Sequence, residues 1–167
     1  MIAVKGSLVE ADMLPVARYT VWNRSWAMKY IFYGGIAIVV AGISTWVLSG
    51  EFTPAPFVGL LLGFYPLITP RLSVKSAIKS APYVSEEGIY EFEESKFTIG
   101  RPSLQVAMNW SSVHSVVELK DQFAIFATKN CFNAIPKRFF TPDQIVAFRQ
   151  LLDQSLGKKF ETRVKVT

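Results

Sequence analysis

Two uncharged, strongly apolar runs dominate the first half of the chain. The first spans Tyr30 to Gly50, between Lys29 and Glu51. A bilayer core of about 30 Å needs roughly 20 helical residues, and this run is long enough. The second spans Phe52 to Pro70, with Arg71 as the next charge, and holds Pro54, Pro56, Pro66 and Pro70. Its predicted helical part is Pro56–Ile68, shorter than the roughly 17 residues that a span needs unless flanking residues add to it. Pro66 is expected to kink or end that helix. Both runs are apolar on every side, whereas a helix on a soluble core is amphipathic. Trp22, Trp26, Tyr30 and Tyr33 near one end, and Trp46 near the other, resemble interfacial aromatic belts. Two adjacent apolar runs with a short polar link most simply form a transmembrane hairpin.

Ahead of the hairpin, residues 1–9 carry enough β-branched residues for one short strand. Glu10–Lys29 reads as helical, with Met13, Leu14, Ala17 and Val21 at helix spacing. Its favoured arrangement is a cytoplasmic extension of the first span; the other is a helix lying on the membrane surface. Behind the hairpin, Arg71, Lys75 and Lys79 recur every fourth residue in a short basic link. From Pro82 the pattern turns to short alternating stretches. Glu87-Gly88 is expected as a turn, followed by a strand with Ile89 on one face and Tyr90 and Phe92 on the other. Strands are predicted at Lys96–Gly100, Leu104–Trp110, Val113–Leu119, Phe123–Thr128 and Phe132–Ile135, forming an antiparallel sheet. Thr141-Pro142-Asp143-Gln144 then starts a helix, with a capping threonine, proline at the first position and glutamine three residues after the cap. Ile145, Phe148, Leu152 and Leu156 make its apolar stripe, and Gly157 ends it. Lys158–Thr167 is a charged tail, loose or adding a last strand through Thr162–Val166.

Composition sharpens this division. Half of the 167 residues are hydrophobic, and the net charge is +5. The positive charge sits where a membrane accounts for it. Arg18, Arg24 and Lys29 precede the first run; Arg71, Lys75 and Lys79 follow the second; Glu51 alone lies between. The positive-inside rule then places both termini in the cytoplasm and gives a multi-pass protein of the inner membrane. No nucleic-acid partner is needed to explain the basic balance. A single cysteine, Cys131, excludes an intramolecular disulfide. The first run starts too late and is too long for a cleaved signal peptide.

Motifs in the C-terminal half resemble the YcxB-like family of bacterial membrane proteins. They are Tyr83-Val-Ser-Glu-Glu-Gly88, Asn109-Trp110-Ser-Ser-Val-His-Ser-Val-Val-Glu118, Ile135-Pro-Lys-Arg-Phe-Phe140 and Phe148-Arg-Gln-Leu-Leu152. The resemblance implies a pleckstrin-homology-like (PH-like) domain, an antiparallel sheet closed by one C-terminal helix, and supplies no activity. The expected fold class is therefore a membrane α-helical hairpin plus a small α+β domain. The expected order is an N-terminal strand and juxtamembrane helix (1–29), the transmembrane hairpin (30–70), a basic linker (71–81), the cytoplasmic PH-like domain (82–157) and the tail (158–167).

Catalytic chemistry is thinly represented. His114 is the sole histidine; Ser112 can share its face of a strand, but no third residue is evident to orient the imidazole. A membrane-bound hydrolase using His114 is the least favoured alternative. One histidine and one cysteine make no zinc set, and Glu86, Glu87, Glu91, Glu93 and Glu94 lack calcium-loop spacing and read as a solvated edge. Cys131 is expected as a small core residue. No cofactor is expected. The leading reading is a non-enzymatic interaction module that presents its PH-like domain to a protein or to anionic lipid headgroups. The other alternative is an immunity protein against a membrane-targeting toxin. Candidate contacts are Lys137, Arg138, Arg71, Lys75, Lys79 and Trp110. Lys137 and Arg138 either meet an anion or are solvated, with their stems packed over Phe139 or Trp110; Trp110 is a core anchor or part of a partner groove. Gly59-x-x-x-Gly63 would let the hairpin self-associate.

Overall fold

The computed structural model describes residues 1–162. They form two compact units: residues 1–16 with 76–162, and residues 17–75.

The second unit is a helical pair. α2 (Trp26–Ser49) starts at Ser25, whose hydroxyl accepts from the Met28 amide at 3.4 Å. It stops at Gly50, where φ of +72° suits glycine. α3 (Ala55–Ser80) is one helix of 26 residues. The expected short second helix is thus corrected: Pro66 and Pro70 lie inside it, both buried. Each proline removes one intrahelical donor, leaving the carbonyls of Leu62 and Pro66 without their usual partner. Neither loss ends the helix, and the 71–80 segment expected as a link is its C-terminal part. Both α2 and α3 are long and apolar enough to cross a membrane. Glycines set their approach. A Cβ on Gly35 would stand 2.6 Å from the Gly63 nitrogen, and one on Gly59 would stand 2.6 Å from the Gly35 carbonyl. Gly59 therefore serves contact within the hairpin.

The segment before α2 is not a continuous extension of it. α1 (Glu10–Tyr19) runs into a π-helical turn at Thr20–Arg24, and Ser25 takes an extended conformation before α2 begins. Pro15 sits inside α1 without ending it.

The first unit holds two four-stranded sheets instead of one. β1 (Ile2–Ser7), β2 (Glu87–Phe92), β3 (Lys96–Arg101) and β4 (Leu104–Asn109) form an antiparallel meander. β5 (Ser115–Glu118), β6 (Gln122–Phe126) and β7 (Phe132–Pro136) form a second meander, and β8 (Phe160–Thr162) adds to β5 in parallel. The last-strand option at Thr162–Val166 otherwise lies outside the described residues. Glu87 and Gly88, expected as a turn, are the first residues of β2 and pair with Ser7 and Gly6. β1 and β2 are thus neighbours in one sheet, although α1, α2 and α3 all lie between them in the chain.

α4 (Pro142–Leu156) begins with the expected capping box: Thr141 accepts from Gln144, and Gln144 returns the bond. It does not close a single sheet; it enters the core that the two sheets share. Phe148 of α4 lies 4.4 Å from Phe92 of the first sheet and 4.9 Å from Phe123 of the second, centroid to centroid. Trp110, Phe97 and Phe140 complete the aromatic cluster. Trp110 is 2% exposed, and its indole N–H donates to the Glu93 carbonyl at 2.8 Å, so it is a core anchor. Cys131 corrects another expectation. It is exposed in the turn between β6 and β7.

The glycine contacts make a paired prediction. Gly35→Val forces side-chain volume into the α2–α3 contact and should cost about 1–3 kcal/mol. Gly34→Val meets open space, with nothing within 4 Å of its Cβ, and should be close to neutral. Thermal unfolding of both variants in detergent checks this; equal stability would rule out the contact.

Candidate functional site

The Ile135–Phe140 motif passes from β7 to the start of α4, and Ile135, Lys137, Arg138, Phe139 and Phe140 each have a defined neighbour. Ile135 and Phe140 are buried in the core. Lys137 Nζ donates to Glu118 Oε1 at 2.6 Å and to the Lys120 carbonyl at 3.1 Å. Arg138 makes a two-pronged contact with Asp12, Nη2 to Oδ2 at 2.8 Å and Nη1 to Oδ1, and Nη2 also donates to the Ser7 carbonyl at 3.1 Å. Phe139 packs on Gly6, where any Cβ would overlap its ring, and lies 5.8 Å from the Tyr90 ring. The motif therefore ties β1 and the start of α1 to both sheets.

Glu118 is the centre of the charges. It ends β5 with its side chain fully buried. A buried carboxylate needs compensating partners. Arg149 from α4 supplies Nη2 at 2.6 Å and Nε at 3.1 Å, and Lys137 supplies its ammonium. Burial pushes the Glu118 carboxyl up, but the hydrogen bonds from Arg149 and Lys137, with their charges, outweigh it and hold it below its ordinary value. Asp12 likewise holds Arg138 firmly protonated.

Beside these pairs lies a cleft of about 300 Å³, lined by Asp12, Lys120, Asp121, Gln122, Lys137 and Arg138 among others. Gln122 is 3% exposed, and its Nε2 has no hydrogen-bond partner. The cations of the cleft that were candidates for an anion already hold carboxylates of the protein itself. Arg71, Lys75 and Lys79 differ. All three are exposed positions of α3. His114 is exposed at the entry to β5, and its backbone N–H donates to the Phe126 carbonyl at 2.9 Å. Among the described residues, no three His, Cys, Asp or Glu side chains converge as a metal set.

Sequence reasoning missed Glu118, Asp12 and Arg149. Glu118 had one visible signal: a lone acid at the end of the apolar run Val116-Val117, where a charge is costly unless paired. Asp12 had none, because its partner is 126 residues away.

Acid should expose the role of Glu118. Because its folded value is depressed, its contribution is fully present above the unfolded value of about 4.3 and is lost as pH falls through the folded value. Wild-type stability should decline below about pH 4.3, and Glu118→Gln should be less stable at neutral pH but decline less steeply. Glu118→Ala, which leaves two cations without their carboxylate, should cost about 3–5 kcal/mol. Thermal unfolding against pH measures both; parallel pH curves for wild type and Glu118→Gln would refute the assignment.

Residues 92–152 match the family model described as YcxB-like protein. No curated protein and no solved structure matches the chain. From Phe92 in β2 to Leu152 in α4, the stretch that holds Trp110, Glu118 and the Ile135–Phe140 motif, the chain is similar to the YcxB-like family.

Proposed function

We propose that the protein is a membrane-anchored, non-catalytic interaction module, whose two spans hold a small PH-like domain at the cytoplasmic face of a bacterial inner membrane. One observation carries the reading. β1 precedes both apolar helices and β2 follows them, yet the two strands pair over six residues. Strands of one sheet lie on one side of a bilayer, so the chain between them crosses an even number of times. α2 and α3 supply two crossings of suitable length.

Charge supports the orientation. Arg18, Arg24 and Lys29 flank one end of the pair, Arg71, Lys75 and Lys79 flank the other, and Glu51 alone marks the turn. Exposed cations at the end of α3 suit anionic headgroups, at about 1 kcal/mol each. A four-stranded meander, a three-stranded meander and a following helix support the PH-like reading. The mechanism is localisation: anchoring raises the effective concentration of a weak binding surface toward partners in the same membrane. Pairing of Lys137, Arg138 and Arg149 with Glu118 and Asp12 favours contacts through other surfaces of the domain.

Single cysteines introduced at Glu10, Asp153 and Glu51 in a Cys131→Ser background test the frame. A membrane-impermeant thiol reagent should label positions 10 and 153 from the cytoplasmic side and position 51 from the opposite side. Labelling of 10 and 153 from opposite sides would overturn the reading.

A further inference from the structure

An apolar groove of about 210 Å³ runs along the helical pair, lined by Phe32, Ile36, Val39, Gly63 and Leu67 among others. Every lining residue is a glycine or apolar. The lining covers Phe32 to Val40 of α2 and Gly59 to Leu67 of α3, in each case about 12 Å of helix. That length fits within one leaflet, half of a hydrocarbon core of about 30 Å. It sits toward the basic end of each uncharged run. Gly63 keeps the groove open. A Cβ at this position would meet nothing within 4 Å, so the missing side chain leaves space that no neighbour takes.

Charge stands at one mouth of this groove. Gly35 faces Gly59 and Gly63 while Gly42 faces Pro56, so the two helices run in opposite directions. The start of α2 and the far part of α3 therefore lie at the same end. Lys29 precedes Phe32 and Ile36 at helix spacing and shares their side of α2. Arg71 follows Gly63 and Leu67 at four-residue steps on α3. Lys29 is about 4.5 Å along the axis from Phe32, and Arg71 about 6 Å from Leu67. Both are exposed. Among the described residues neither has a carboxylate partner, unlike Lys137 and Arg138. Trp22 packs edge-on against Phe32, with ring centroids 5.2 Å apart, and sets an aromatic ring at this mouth.

We infer that the groove holds one acyl chain of a single anionic phospholipid, whose phosphate sits between Lys29 and Arg71. This deepens the membrane-anchored reading and rests on it. An unfilled hollow forfeits dispersion contacts along its walls. A second copy lying alongside in the same orientation would bring its own Lys29 and Arg71 to this level and set like charges together. An anionic lipid fits both parts of the site. Arg71 offers a fork of donors that matches phosphate oxygens, and Lys29 a compact charge. Because the cations and the groove act on one molecule, this lipid is held more firmly than those around the rest of the hairpin. Bound there, it bridges α2 and α3 at their basic ends and makes the pair sensitive to the anionic lipid content of the membrane.

The experiment uses the full chain in detergent, with phosphatidylglycerol and phosphatidylcholine as probes and native mass spectrometry as the readout. Wild type should retain one phosphatidylglycerol per chain, at least fivefold more than phosphatidylcholine at equal concentration. Gly63→Leu fills the groove without displacing a neighbour. It should lower retention of both lipids at least fivefold, with no loss of thermal stability in lipid-free detergent. Gly34→Leu also enters open space but lies outside the lining, and should retain the lipid. Lys29→Gln combined with Arg71→Gln should erase the preference for phosphatidylglycerol. Lys79→Gln, about two turns beyond Arg71, should keep it. No retained lipid, equal retention of the two lipids by wild type, or full retention by Gly63→Leu would each overturn the inference. So would a dimer of chains that Gly63→Leu dissolves, because a second copy would then fill the groove. Failure of the membrane-anchored reading is seen separately, as chain missing from the membrane fraction or the wrong labelling pattern at positions 10, 51 and 153.

Discussion

The pairing of β1 with β2 is the constraint on which the rest of the fold depends. Residues 8–86 intervene between the two strands, so no tight turn sets their register. Closing a long loop costs entropy that grows only slowly with its length, but something other than proximity must align the strands. Side chains at the β7–α4 junction provide it. Arg138 reaches Asp12 and the Ser7 carbonyl, and Phe139 fits over Gly6. Gly6 is required at this place because a methyl group there would overlap the ring.

The buried charges belong to the same arrangement. Glu118 ends a strand of the second sheet, Lys137 follows another, and Arg149 comes from α4. An ion cluster of this kind adds little net stability compared with well-packed apolar residues, yet removal of one member is costly. Its geometry fixes where α4 sits against β5 and β7. The Ile135–Phe140 stretch looks like a binding motif because it is basic and aromatic; in the fold it is a joint.

Much of this was legible from local patterns. The capped helix at Thr141–Gly157, the alternation of Ile89 with Tyr90 and Phe92, and the two apolar runs all depend on neighbours within a few residues. What escaped depends on distant partners. Glu87-Gly88 suggests a turn until Gly6 and Ser7 are seen beside it. The proline-rich run suggests a short helix, yet Pro66 and Pro70 lie buried within one helix of 26 residues. Lys137 and Arg138 look free until Glu118 and Asp12 are placed. Cys131 follows the same logic in reverse: an apolar residue next to a strand, left outside by a turn. The division into two sheets, and the addition of β8 in parallel after α4, carry no local signature.

Because β1 is made before α2 and α3 and β2 after them, the sheet cannot begin to pair until both helices have been made, although its strands lie side by side in chain order. β1 leaves the ribosome ahead of α2 and α3 and does not meet β2 until both have been made and β2 has emerged. Arg138, which holds the strand in place, emerges later still. Completion of the sheet thus waits on both helices. A chain in which β1 stayed apart from β2 would leave Tyr90 and Phe92 beside an unpaired edge, open to proteases and chaperones.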